Sequence, residues 1–401
     1  MRLTKWQALW LLAVAEFLAM AVWFSASAVL PLLTEEWSLS TSGRAWLTMS
    51  VQIGFVAGAF VSALLNLPDR IPPKILLSLS AFAAASCTFL IALLSTGPAT
   101  AFPLRFLTGM FLAGVYPVGM KIMATWTRHD RGLAIGLLVG ALTLGSASPH
   151  ILNGLGGIHN WRMVLYLASL MAMAGGLIAL FMIVEGPYRS KSPPFDWKYI
   201  WKIVKTPELS LANVGYLGHM WELYAMWTWV PLFLLASFSI TGIAPQWASI
   251  AAFFVMGAGA LGSVLAGSMA DRIGRTTVTI ASLAVSGTCA LVVGLLFGHN
   301  AYLVVALCLI WGFAVVSDSA QFSAAASELS DQAYTGTALT LQTSLGFLLT
   351  LFTIRAVPYF VGMVGWEWAF AFLAIGPAFG IWGMWRLRRL PAAEKIAGGH
   401  R

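Results

Sequence analysis

Residues 223–270 and 276–317 contain no Asp, Glu, Lys or Arg, and the short stretch between them holds Asp271, Arg272 and Arg275. A helix needs about 20 apolar residues to cross a bilayer, and a charge at its middle is costly. Two such runs flanking one charged turn therefore place the turn in water and the runs in membrane. The whole chain agrees: 59% of its 401 residues are hydrophobic and 9% charged, with a mean hydropathy of +0.82, against about 25% charged in soluble domains. The expected class is an all-α polytopic membrane protein.

Apolar runs bounded by charge, proline or glycine predict twelve spans, at 6–33, 45–66, 75–95, 102–126, 132–154, 161–184, 209–237, 244–270, 276–297, 301–325, 337–361 and 366–386. The run from Trp6 to Leu33 is too long for the apolar core of a cleavable leader and reads as a retained helix. With the N-terminus placed inside, only Arg44 and Arg162 of the 23 Lys and Arg fall in outer loops, and Arg105, Lys121 and Arg355 fall within spans. That asymmetry predicts both termini in the cytoplasm. It also makes the net charge of +8 a topology signal, with no nucleic acid expected as a partner. Cys87, Cys289 and Cys308 are scattered through the spans, so neither a disulfide framework nor a metal site is indicated.

The turn itself reads Gly267-x-x-x-Asp271-Arg272-x-Gly274-Arg275, and a degenerate copy stands earlier as Pro68-Asp69-Arg70-Ile71-Pro72-Pro73-Lys74. This spacing resembles the cytoplasmic loop motif of the major facilitator superfamily of solute transporters. Arg105-x-x-x-Gly109-x-x-x-x-Gly114-x-x-Pro117 is similar to the family's fourth-helix motif, with close helix packing as the simpler reading of its glycines. Gly257, Gly259, Gly262 and Gly267 in the eighth span read as close packing too. The glycine-proline signature of many antiporters is not clear in the fifth span, where Gly140 to Pro149 reads Gly-Ala-Leu-Thr-Leu-Gly-Ser-Ala-Ser-Pro. The resemblance implies twelve transmembrane helices in two pseudo-symmetric six-helix halves. Their expected limits are 1–184 and 209–389, with a cytoplasmic linker at 185–208 and a tail at 390–401.

Internal repeats support that division. Glu16, Ala19, Met20 and Trp23 recur as Glu222, Ala225, Met226 and Trp229 at an offset of 206, and the two loop motifs stand 202 apart. A third pairing, Arg131-Gly132-Leu-Ala134 with Thr335-Gly336-Thr-Ala338, has an offset of 204. Near-equal offsets fit two repeats related by an axis along the membrane normal. In the linker, Phe195 to Lys205 mixes aromatics with lysines and reads either as a short helix on the inner leaflet or as a solvated connection with interfacial anchors.

Charges inside spans are the functional candidates. Glu16, Glu222, His219 and Asp318 are the expected proton-coupling groups. A carboxyl group in a site alternately dried and wetted during transport can bind a proton in one state and release it in another; a protonated packing role is the alternative. His219, Glu222, Met226 and Trp229 share one helix face, as do Glu16, Met20 and Trp23. The resemblance places both first helices beside a central cavity. Further cavity candidates are Tyr116, Lys121, Gln321 and Arg355. Asp318 and Lys121 read as partners in a switching ion pair or as a site for an anion or zwitterion, unless Lys121 reaches the inner surface. Arg105 reads as structural and His150 as a polar wall residue. By resemblance, Asp69, Arg70, Gly267, Asp271, Arg272, Gly274 and Arg275 form a cytoplasmic gate whose contacts latch and release during transport; a solvated turn that only sets topology is the alternative.

No Gly-x-x-x-x-Gly-Lys-[Ser/Thr] motif occurs. No cofactor is expected, and the proton gradient is the expected energy source. The chain reads as a proton-coupled symporter of the bacterial inner membrane, not an enzyme, taking up a small organic or inorganic anion. Its expected partners are that solute, protons and the lipid bilayer; the sequence sets no oligomeric state. The family's nitrate porters carry arginines in the second and eighth helices that this chain lacks. Proton-driven efflux of amphipathic compounds is the alternative function, and a non-transporting membrane sensor or intramembrane enzyme a more distant one.

Overall fold

A computed structural model describes residues 3–127, 131–155, 160–188, 198–331 and 335–400. Arg2, Arg128, Arg189, Lys191, Arg401 and the expected helix start at Phe195-Asp196-Trp197 lie outside it. Among the described residues the secondary structure is helical, without a strand. Eleven segments of the described residues are long and apolar enough to cross a membrane: Thr41–Leu64, Pro73–Leu94, Pro98–Ala124, Gly132–Leu155, Trp161–Met182, Pro207–Ile240, Pro245–Ile273, Arg275–Leu296, Ala301–Leu329, Thr335–Val364 and Trp366–Arg388. They are the second to twelfth expected spans, most extended by a few residues. Polar caps set several starts: Ser40 Oγ accepts from Gly43 N at 3.1 Å, and Asn300 Oδ1 from Tyr302 N at 2.9 Å.

The first span departs from the expected single helix. It is three pieces, Lys5–Met20, Ser25–Ala28 and Leu30–Glu36. Breaking a helix inside a membrane frees carbonyls that need donors. Arg105, fully buried on the fourth span, supplies them: it donates to Val22 O at 2.9 Å, to Leu47 O at 3.2 Å and to Trp23 O. The seventh span, which matches the first in sequence, runs unbroken from Pro207 to Ile240. Aligning the starts of the fourth and tenth spans, Pro98 and Ala301, puts Cys308 where Arg105 stands. A thiol cannot satisfy several carbonyls. The fourth and tenth spans themselves break in the middle, at Ala113–Val115 and at Asp318.

Contacts group the chain into two compact units. The first comprises Met1–Arg128, Ala141–Ser190 and Thr228–Met256; the second comprises His129–Gly140, Lys191–Trp227 and Gly257–Arg401. In the first unit the second and fourth spans cross backbone to backbone, since a side chain at Gly54 would strike Phe106 O and one at Gly109 would strike Val51 O. In the second unit Gly132 and Gly267 meet in the same way. A Cβ at Gly132 would lie 2.6 Å from Gly267 O, and one at Gly267 would strike Gly132 O. One turn on, Ser263 Oγ donates to Gly136 O at 2.9 Å. Small residues at these crossings replace the hydrophobic driving force that lipid removes.

Candidate functional site

In the second unit the seventh span turns its polar face toward the ninth and tenth. Glu222 is fully buried; its two oxygens accept from Ser286 Oγ at 2.8 Å and Trp311 Nε1 at 2.6 Å. One helical turn before it, His219 Nδ1 lies 2.8 Å from Asp318 Oδ1, both side chains 1% exposed. The contact is an ion pair only when His219 carries a proton. Asp318 occupies the break of the tenth span, where its carbonyl accepts from Gln321 N at 2.9 Å. Phe322 packs on the His219 ring, centroids 5.6 Å apart. Met226 is buried in this unit, whereas Trp229, also buried, belongs to the first.

In the first unit Glu16, Met20 and Trp23 are buried, Trp23 against Phe55 with ring centroids 5.0 Å apart. Unlike Glu222, Glu16 has no hydrogen-bond partner on either oxygen among the described residues. The repeat explains the difference. Ser286 and Trp311 correspond, by the starts of their spans, to Ala84 and Thr108, and the Thr108 hydroxyl donates within its own helix to Leu104 O at 2.8 Å. His150 and Gln52 are also fully buried in this unit, their side-chain polar atoms without a hydrogen-bond partner among the described residues. Tyr116 is half-buried at the start of the helix Tyr116–Ala124. Lys121, on the same helix, reaches the first loop motif: its Nζ lies 2.6 Å from Asp69 Oδ1 and 3.0 Å from Pro68 O.

The second loop motif makes the matching contact with opposite sign. Arg275, 3% exposed, donates Nε and Nη2 to the two oxygens of Glu328 at 2.9 and 2.7 Å, and Nη1 to Gln321 Oε1 at 2.8 Å. Its Nη1 also lies 3.3 Å from Asp271 Oδ1. Asp271 accepts in turn from the backbone N–H of Gly132, at the start of the fifth span. A carboxylate at a helix N-terminus is favourably placed. Gly274, at φ 96°, makes the turn that brings Arg275 inward. The first loop lacks this glycine, and there Asn66 takes the left-handed conformation instead, at φ 48°. Arg70 and Arg272 are exposed, and so is Arg355 on the eleventh span.

The structure thus gathers Glu222, His219 and Asp318 in one unit, and joins Gln321 to Arg275 and Lys121 to Asp69. Ser286, Trp311 and Glu328 are partners that sequence reading missed. Glu328 was hidden because the tenth span continues to Leu329, four residues past its apolar stretch. Ser286 and Trp311 had no signal of their own, since single polar groups in apolar helices declare a role only through what they touch. Among the described residues no group of three or more His, Cys, Asp or Glu is placed to hold a metal.

Comparison with known proteins gives the same direction as these loops and breaks. The MFS-type transporter pytF of Aspergillus terreus is 24% identical over 246 residues, covering 59% of this chain and 78% of pytF. The proposed niacin/nicotinamide transporter NiaP of Bacillus subtilis is 29% identical over 233 residues, covering 53% of this chain and 55% of NiaP, about half its length. The profile of the Major Facilitator Superfamily matches residues 12–241 and again 212–401. With nearly the whole chain so matched, this multi-pass helical membrane protein belongs to the Major Facilitator Superfamily.

Proposed function

We propose that the chain is a proton-coupled secondary transporter that takes up a small organic or inorganic anion by alternating access. It works as two six-helix halves, 1–184 and 209–389, in a bacterial inner membrane with both termini cytoplasmic. The observation that carries the reading is a pair of fully buried carboxyl groups, Glu16 and Glu222, at matching places in the two first helices and without a cationic partner among the described residues. Buried acids of this kind are what proton exchange between wet and dry states requires.

The same geometry narrows the role of the cations. Lys121 is taken by Asp69, the Arg105 guanidinium by carbonyls, and Arg355 is exposed. The charge of an entering anion is then balanced by the proton that travels with it, so the pair crosses as a neutral acid. Niacin, named for the Bacillus subtilis relative, is a small acid of this kind. The loops act as latches. Asp271 on the Gly132 amide and Arg275 on Glu328 hold the cytoplasmic helix ends together, and their release opens that side.

The test is proton movement into proteoliposomes loaded with a pH-sensitive dye, with small aliphatic and heteroaromatic carboxylates offered outside. Solute-dependent acidification that is lost in Glu16→Gln or Glu222→Gln supports the reading; acidification unchanged in both variants sinks it. Export of amphipathic compounds is the second reading, favoured by the Trp23 and Phe55 rings packed 5.0 Å apart in the first unit. It gains if no carboxylate moves protons and an amphipathic cation does.

A further inference from the structure

The residues after the twelfth span do not trail away from the fold. Pro391–Gly399 turns back against the helices Ser319–Leu329 and Ile375–Arg388 and buries Ala393 and Ile396 completely. After Ile396 the backbone enters the left-handed region, with Ala397 at φ 48° and ψ 39° and Gly398 at φ 64°. An alanine is held there only against a steric cost. What holds it is a hydrogen bond: Ala397 N donates to Glu328 Oε2 at 3.0 Å. Glu328 is the same carboxylate that receives the Arg275 guanidinium on both oxygens. Three donors from two separate segments therefore converge on one side chain, at the last turn of Ser319–Leu329. That helix is joined to the rest of the tenth span at the break at Asp318, and its far end is held by packing on Arg275–Val292 and Thr335–Val364, by Arg275 and by the returning segment.

We propose that the C-terminal segment is a strap. It fastens the end of Ser319–Leu329 through Ile396 and the Ala397–Glu328 bond, and its undocking is a regulatory step that loosens this half of the tenth span. The strap stands on contacts within the second unit, whereas its effect on transport rate rests on the transporter reading given above. Arg275 and the strap share Glu328, so the strap also steadies the loop-motif pair. Undocking leaves Arg275 on Glu328 but removes the third donor and the Ile396 packing.

The experiment is hydrogen–deuterium exchange on the 401-residue chain in detergent micelles, comparing wild type with Ile396→Asp, Ala397→Gly and a truncation that removes residues 391–401. Ile396→Asp and the truncation should raise exchange in 319–330 at least about tenfold, the worth of one buried isoleucine, and leave the seventh span unchanged. Ala397→Gly relieves the left-handed alanine and should lower exchange in the same segment about threefold to fivefold. Unchanged exchange in Ile396→Asp overturns the proposal, as does a rise spread equally over all spans, which marks general loosening. If the truncated chain does not fold, the opposite signs expected of Ile396→Asp and Ala397→Gly still decide. Uptake by the same variants in proteoliposomes is read separately. A strap confirmed by exchange with no transported solute found would count against the transporter reading and leave the strap standing.

Discussion

Glu16 and Glu222 should respond to the same substitution with opposite signs of stability. Glu222→Leu removes the acceptor of two donors. The Ser286 hydroxyl keeps a fallback in Leu283 O at 3.3 Å, but Trp311 Nε1 is left with none among the described residues. A stranded buried donor costs about 1–3 kcal/mol, and the bonds lost to an acid group raise the expected destabilisation to about 2–4 kcal/mol. Glu16→Leu strands nothing, because neither carboxyl oxygen is bonded. It exchanges a buried, unsatisfied polar group for an apolar side chain of similar size, and should stabilise by about 1–2 kcal/mol. Thermal melts of purified protein in detergent, followed by intrinsic tryptophan fluorescence, measure both. The functional readout is proton uptake with solute, where Glu16→Leu should be inactive despite its higher stability. A Glu16→Leu protein that melts below wild type would show that Glu16 has a structural partner. One that melts higher and still moves protons would remove it from coupling.

Other outcomes are tied to single contacts. Arg105→Met leaves the Val22, Trp23 and Leu47 carbonyls without their donor; relief from burying a cation offsets part of the loss, and a net cost of about 3 kcal/mol in denaturant unfolding is expected. Asp69→Lys and Lys121→Asp should each destabilise by about 1–3 kcal/mol, and the double reversal should recover at least half of the sum, measured as a double-mutant cycle by thermal melting. Gly267→Val drives a side chain into Gly132 O and should cost about 1–3 kcal/mol, with Gly132→Val adding little once the crossing is already spread.

Much of the fold was legible because membrane crossing is a coarse constraint. Any apolar stretch of the right length must become a helix, so the spans found from hydropathy agree with the helices to a few residues. The exceptions are instructive. The break after Met20 lies in a run as apolar as its neighbours, and its cause, Arg105, stands on another helix 82 residues beyond Trp23. Hydropathy has no term for a cation that replaces backbone donors. The site was legible as a set of costly residues, not as a set of pairs. Periodicity placed His219 and Glu222 on one face, but nothing in it could say that the face meets Ser286, Trp311 and Asp318. Lys121 and Gln321, read as cavity residues, are joined in the structure to Asp69 and to Arg275.

The repeat makes those pairings informative, because corresponding places carry different chemistry. At the inner end of the fourth span a lysine binds the aspartate of the preceding loop; at the corresponding end of the tenth, a glutamate binds the arginine of its loop. The contact is kept and its sign is reversed. At the first helices the reverse holds: the residue is kept, as Glu16 and Glu222, and the contact is lost on one side. Joining a loop to a helix end needs only that some attraction exist, so either polarity serves. A buried carboxyl group is more sensitive to its surroundings, because each donor that reaches it changes how well its oxygens are satisfied. Ser286 and Trp311 supply donors to Glu222, and no described residue supplies one to Glu16. Two identical carboxyl groups in matching helices therefore sit in different surroundings, one held by two donors and the other without a bonded partner among the described residues.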